Sequence, residues 1–495
     1  MYNSSATMPD PAASILLILI RLILLLVLII IVITALRIYL RRRRSIQGMG
    51  TLKTADPETA AGIIFGCRGC RVVYSPAADE GHVIVFGGSG SGKTSAVLIP
   101  TLRSISSRSR STVFVIDIAG DISQHAAAQM QNALIYAPGS PDTIPYSPFS
   151  IVDALESNDD RNEAMENMAY LLMPDIPGAA ANAKFYNDEG RKILTAALIA
   201  GYHDGMEFTD VCDSIVSNSY QELFEMIDQA GCPAAIRYIN GFSGGSPQTT
   251  AGCMQSAAAA ITLFATNAAV KKSLRRPQYS EYSKNEYYTP AILETHNVFV
   301  IIPDDKIELY QPLMQLLVSQ TMSYLGSRPI TSRHTILLCL DELPSLGHLP
   351  VLDVVRKYRK RKVRLLALTQ SLADLDLTYG RTERIAILEN FRYTLVLGAT
   401  NIETQEYFAK RAGYVKKKQI TTTSRMYDRS TVSETETREP AIDPQEFARL
   451  GDHLLLLYPG GYIRLRKDYY FKQPDSSVLG WLMDRIDDLC LRGRA

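Results

Sequence analysis

The stretch Gly87-Gly88-Ser89-Gly90-Ser91-Gly92-Lys93-Thr94 constrains this chain more than any other. It has the spacing G-x-x-x-x-G-K-[ST]. It stands between an apolar run, His82 to Phe86 (HVIVF), and a second apolar segment, SAVLIPTL. A strand that turns through a glycine-rich loop into a helix is the setting in which this spacing cradles phosphates. The glycines let successive backbone N–H groups curl around the phosphates, and the helix N-terminus adds its dipole. Lys93 offers a point charge to the β- and γ-phosphates, and Thr94 offers a hydroxyl to Mg²⁺. ATP and Mg²⁺ are the ligands expected here.

Further strands should carry the rest of the chemistry. Thr112 to Ile116 (TVFVI) ends in Asp117 and the turn IAGD. Asp117 either faces the nucleotide or caps the helix after Asp121. Thr335 to Leu340 (TILLCL) is apolar throughout, as a strand buried on both faces must be, and it closes on Asp341-Glu342. In that position Asp341 holds Mg²⁺ and Glu342 is the general base for the attacking water. Val363 to Thr369 (VRLLALT) ends in Gln370, either an exposed strand-end residue or a contact to the γ-phosphate. Between these two strands lies Arg356-Lys357-Tyr358-Arg359-Lys360-Arg361-Lys362. It reads as a solvated helix end suited to the helix dipole, as an arginine finger for a neighbouring subunit, or as a phosphate-tracking surface.

Ile15 to Leu36 (ILLILIRLILLLVLIIIVITAL) reads as a transmembrane helix. At about 1.5 Å per residue it would span about 33 Å, against a hydrocarbon core of about 30 Å. Arg41 to Arg44 follow it directly, which predicts a cytoplasmic flank and an N-terminus outside. Arg21 either snorkels to the outer interface or meets a membrane partner. Six of the 52 Lys and Arg, but one of the 51 Asp and Glu, lie in residues 1–44, so the remainder is slightly acidic. That excludes a generally basic nucleic-acid binder and makes any phosphate contact there local. Seven Cys in 495 residues exclude a disulfide framework. Cys67 and Cys70 lack a second ligand pair at zinc spacing and read as free thiols.

Lys93 and Asp341 are too far apart in the chain for a minimal nucleotide core, so an insertion is expected. Residues 155–288 are helical in pattern, with a breaker at Gly241 to Pro247. Val298 to Ile302 returns to the core, and Leu454 to Tyr458 and Ile463 to Leu465 read as closing strands. Lys416 to Arg438 is polar and rich in Thr and Ser, and is expected to be a mobile loop. The fold class is α/β, with a mainly parallel sheet carrying helices on both faces. The expected division is a short external tail (1–14), a transmembrane helix (15–36) and a basic juxtamembrane linker (37–60). A nucleotide-binding domain in two parts (61–154 and 289–475) then encloses an all-α domain (155–288), and a C-terminal helix (476–495) follows.

GGSGSGKTSAVLIPTL, VIDIAGD, LLCLDELPSLGHL and LLALTQSLADL occur in the order found in the type IV coupling proteins, the TraG/TraD/TrwB-like ATPases of conjugation and type IV secretion. IPYSPF at 144–149 and DPQEFARL at 443–450 also resemble segments of that family, and the likeness covers roughly residues 60–470. It implies a RecA-like core of the FtsK/HerA branch, a hexameric ring, and an all-α domain at the ring's cytoplasmic mouth. It implies an ATPase of the bacterial inner membrane. This ATPase receives relaxase-bound single-stranded or duplex DNA, works with the inner-membrane proteins of the secretion channel, and drives conjugative DNA transfer. A receptor that hands protein effectors to the channel, or an ATP-gated membrane scaffold with little turnover, are the alternatives. Lys93, Thr94, Asp341, Glu342 and Gln370 fall on the family's nucleotide residues, and Arg359 falls where an arginine finger is expected. Arg361 and Arg364 are its local alternatives. Family members usually have two membrane helices and many have a long acidic tail; this sequence shows one such helix and stops at Ala495.

Overall fold

The computed structural model describes residues 25–30, 33, 52–56, 59–69, 71–76, 81–108, 111–118, 120–175, 180–276, 287–425 and 428–471. Residues 1–52 and 53–495 form two separate units. In the first, residues 25–30 are helical and exposed; the remainder of the expected membrane segment, except Ile33, lies outside the described residues. Among the described residues no helix is long and apolar enough to cross a membrane. The expected C-terminal helix and Cys70 also lie outside them.

The strands of the second unit are β1 (Lys53–Ala55), β2 (Gly62–Arg68), β3 (Arg71–Pro76), β4 (Val83–Phe86), β5 (Ser111–Ile118), β6 (Ala133–Tyr136) and β7 (Asn297–Ile302). After them come β8 (Thr335–Leu340), β9 (Val363–Thr369), β10 (Tyr393–Val396), β11 (Tyr414–Arg425), β12 (Asp428–Pro440), β13 (His453–Tyr458) and β14 (Gly461–Arg466). A 12-stranded sheet runs in the order β1-β3-β2-β14-β13-β10-β4-β9-β8-β5-β7-β6. From β10 to β6 every pairing is parallel. From β1 to β13, and where β13 meets β10, every pairing is antiparallel. The apolar runs of β4, β8 and β9 are buried at every residue, because helices cover both faces of the central strands.

The strand order positions the chemistry. β9 lies between β4 and β8, so the strand leading into the phosphate loop and the strand ending in the acid pair are separated by one strand. Phe86 pairs with Thr369, Ala367 with Leu340, and Leu340 with Ile116. The C-terminal ends of β4, β9, β8 and β5 therefore come out together along one edge of the sheet.

Between β6 and β7 the described residues form the helices Asn158–Leu172, Ala181–His203, Phe208–Ser217, Tyr220–Gln229, Pro233–Ile239, Pro247–Thr266 and Ala268–Ser273, among shorter turns. Local chemistry starts these helices. Ser157 and Asn267 cap N-termini, Ser219 and Glu222 form a reciprocal capping box, and Pro233 and Pro247 occupy first-turn positions that need no N–H. Their apolar residues, among them Ile193, Leu194, Phe208 and Phe264, belong to one buried cluster that also contains Ile84 and Phe114 of the sheet. The chain enters and leaves the helices at neighbouring points. Tyr288 N–H donates to the Pro145 carbonyl, and Tyr146 N–H to the Ser273 carbonyl, both at 2.9 Å.

One expectation is overturned. Residues 416–425 and 428–438 do not form a loop. They lie within β11 and β12, which pair antiparallel along nearly their whole length and form a two-stranded ribbon. Polarity misled the sequence reading. Thr421, Thr422, Thr423, Thr431 and Val432 are β-branched, and a hairpin supplies its own hydrogen-bonding partner without a buried face.

Candidate functional site

The phosphate loop is shaped by its glycines. Gly90 and Gly92 have φ of 71° and 94°, the left-handed region that a side chain disfavours. Gly87 N–H donates to the Thr369 carbonyl at the tip of β9, 3.1 Å away. The chain then leaves the loop through a wide π turn over Thr94–Leu98 into the helix Ile99–Arg108. Ser89 and Gly90 are exposed, Gly88, Ser91 and Thr94 are half-buried, and Lys93 is buried.

Lys93 Nζ donates to the carbonyls of Gly87 at 2.6 Å and Gly88 at 3.4 Å, and lies 3.8 Å from Glu342 Oε2. Thr94 Oγ1 donates to Asp341 Oδ1 at 3.4 Å. The Gln370 side chain hydrogen-bonds to the Glu342 carboxylate. Lys93, Thr94, Asp341, Glu342 and Gln370, drawn from three strand ends, thus meet in one constellation. Burial, and then the charge of Glu342, push the Asp341 carboxyl up to about 7, while Lys93 pulls the other way. Burial also raises Glu342, against the pull of Lys93 and Gln370. A hydroxyl and a half-buried carboxylate at this spacing, with the carboxylate short of positive charge, fit a hard cation such as Mg²⁺. An ammonium and glycine-freed amides at a helix N-terminus fit the phosphates.

Asp117 does cap a helix. Its carboxylate accepts from Ile122 N–H at 3.2 Å and from the Ser123 N–H and hydroxyl. It is fully buried, and its charge also helps raise Asp341.

The basic run sorts by burial. Arg364 is 2% exposed, and its guanidinium donates to the carbonyls of Pro76 and Gly81 and to Ser75 Oγ. Arg361 donates to the Arg328 carbonyl. The head of Arg364 is thus tied into the base of the sheet, whereas Arg361 is half-buried. Arg359 is exposed and sits in the turn Tyr358–Arg361 before β9. Gln370 follows the other end of that strand. At about 3.3 Å per residue the seven residues of β9 separate the two by roughly 20 Å. Arg359 therefore does not reach the phosphate loop of its own chain.

Cys67 is buried, and among the described residues no cluster of His, Cys, Asp and Glu has the geometry of a metal site. The sequence reading missed one neighbour of the loop. Tyr469 packs on Gly92, and Tyr470 N–H donates to the Ser95 carbonyl at 3.1 Å. The signal was there: Tyr469-Tyr470-Phe471 are three aromatic residues in succession, in a chain that is 8% aromatic.

A model of the family described as "Type IV secretory system Conjugative DNA transfer" matches residues 38–480. The conjugal transfer protein TraG of Escherichia coli is 23% identical, over 89% of this chain and 75% of that protein. The solved structure of the bacterial conjugative coupling protein TrwB lacking its first 70 residues, in an unbound monoclinic form, has a TM-score of 0.64 at 20% identity. It covers 81% of this chain and 87% of that one. The plasmid coupling protein TrwB in complex with ADP and Mg²⁺ gives 0.63 at 20% identity, over 81% and 90%. The chain thus shares the fold of these structures, and it belongs to the type IV coupling proteins, the family of conjugative DNA transfer in type IV secretion.

Proposed function

We propose that this protein is a membrane-anchored ATPase that couples a relaxase-bound DNA substrate to a type IV secretion channel and drives conjugative transfer by ATP hydrolysis. It works as a homo-oligomer, a hexameric ring in the bacterial inner membrane, anchored once through residues 15–36. The observation that carries the reading is the constellation of Lys93, Thr94, Asp341, Glu342 and Gln370 at the ends of β4, β8 and β9. Family membership supports the coupling role. The TrwB structure with ADP and Mg²⁺ supports the ligands.

Lys93 exchanges its Gly87 and Gly88 carbonyls for the β- and γ-phosphates and holds them against the loop. Thr94 and Asp341 would hold Mg²⁺, which supplies charge neutralisation of the phosphate oxygens. Glu342, its carboxyl raised by burial, accepts the proton of the attacking water. Gln370 touches both that carboxylate and, through the preceding Thr369 carbonyl, the phosphate loop, so it senses whether the γ-phosphate is present. Arg359 serves the nucleotide of the neighbouring subunit. Its planar fork suits the developing phosphoryl charge better than a lysine does.

The test mixes two inactive variants, Arg359→Ala and Lys93→Ala. Some interfaces then join an intact Lys93 to an intact Arg359, and ATPase activity returns in part. A finger supplied from outside is worth about 10³–10⁵ in turnover. Full activity of Arg359→Ala alone, or no recovery in confirmed mixed rings, refutes the finger. Full ATPase and transfer by Lys93→Ala refutes the motor.

A further inference from the structure

Phosphate loops hold the phosphates of a nucleotide and leave its base to other elements. Here one element is in place. Tyr469 lies so close to the loop that a Cβ built on Gly92 would come 3.0 Å from its ring. The Tyr470 N–H bond to the Ser95 carbonyl pins the segment to the first turn of the loop's helix, where the α/β-phosphates end and a nucleoside begins. Tyr470 is itself fixed. The Arg103 guanidinium sits 4.9 Å from its ring centre and the His125 ring 4.7 Å. Arg103 also donates to the Tyr470 carbonyl at 3.4 Å and to the His125 carbonyl at 3.1 Å. Phe471, 5.2 Å from both tyrosine rings, is 61% exposed. A large aromatic ring left in solvent beside a phosphate site, on a segment held by hydrogen bonds to the Tyr470 N–H and carbonyl, is a surface for a flat ligand.

We propose that Tyr469 and Phe471 form the wall on which the base of the bound nucleotide stacks, with Tyr470 as its fixed support. The proposal rests on the nucleotide-binding reading of the loop and adds to it the group that receives the purine. Stacking reads the π-face and not the edge of a base, so the wall contributes affinity for any purine nucleotide and none for its phosphates alone.

The experiment measures binding of ADP and of inorganic tripolyphosphate, which lacks sugar and base, to the full chain in detergent. Phe471→Ala alters an exposed residue, and Tyr469→Ala removes the ring on the loop. At least one should weaken ADP about tenfold, the scale of losing a stacking partner, and leave tripolyphosphate unchanged. Tyr469→Phe should keep wild-type affinity. In Phe471→Trp, ADP but not tripolyphosphate should quench the added indole, read against the wild type. Equal weakening of both ligands, or no weakening in either alanine variant together with an unquenched indole, overturns the wall while leaving the nucleotide site standing. Wild-type protein that binds neither ligand overturns the nucleotide reading itself.

Discussion

Glu342 is held at φ 53° and ψ 63°, a left-handed conformation that costs a residue with a side chain about 1–3 kcal/mol. The strain turns its carboxylate toward Lys93 and Gln370, while the preceding Asp341 stays beside Thr94. Two adjacent acids at the end of a relaxed strand would point to opposite faces; the strained backbone keeps both at one site. Three substitutions separate their roles. Glu342→Gln keeps the backbone and should bind ATP while turnover falls about 10²–10⁴-fold, the usual share of a general base. Glu342→Gly should relieve the strain and raise the Tm of the nucleotide-free protein, yet be equally inactive. Asp341→Asn should instead weaken Mg²⁺-dependent binding. Calorimetric titration of ATP with and without Mg²⁺, beside a turnover assay, distinguishes them; identical defects in Glu342→Gln and Asp341→Asn would contradict the separate roles.

At the scale of elements, β9 is locked at its beginning as firmly as at its end. His82, one residue before β4, accepts the Leu365 N–H at 3.1 Å, and Arg364 gathers the carbonyls of Pro76 and Gly81. Burial, with Arg364 and Arg359 adding repulsion, lowers the His82 pKa to about 3. Unfolded, the same imidazole titrates near 6.5, so between those values the unfolded chain binds the extra proton. The stabilisation from neutral His82 is complete above pH 6.5 and is lost as the pH falls toward 3. Below pH 6 wild type should therefore lose up to about 1.4 kcal/mol per pH unit more than His82→Gln does. Denaturation curves from pH 7 to pH 4 check this, and parallel slopes for the two proteins would refute it.

Much of this level was legible in the sequence. β8 and β9 are legible to the residue because strands covered on both faces are nearly all apolar, Arg364 being the one charge between them. His82 was read as the first residue of β4 because a buried neutral imidazole looks like any strand residue. The ribbon of β11 and β12 was not legible, since its two strands satisfy one another and need no apolar face. Nor was the fate of Arg364: it follows six charges within seven residues and looks like one more of them, and the carbonyls it meets lie on a loop more than 280 residues earlier in the chain. The acid pair could be found from its strand, whereas the aromatic segment at 469–471 could not be placed, because a fold and not a spacing brings it to Gly92.

For the whole molecule, the charge distribution predicts an orientation. Arg41 to Arg44 follow the apolar segment, and no Lys or Arg precedes Ile15. A tag at the N-terminus should be accessible from the periplasm, and one after Ala495 should not. Protease protection in spheroplasts reads both, and protection of both tags would mean that the chain does not cross as proposed. In such a protein, β9 has Arg359 in the turn before it and Gln370 directly after it, with every residue of the strand itself buried. In the proposed ring, one end would sense a subunit's own γ-phosphate while the other would serve the next subunit's nucleotide. A buried strand joined to its phosphate loop through Gly87 and Thr369 does not move at one end alone. In the proposed ring the strand would then act as an escapement: each site would be released by the state of the one before it, and the sites would fire in turn and not at random.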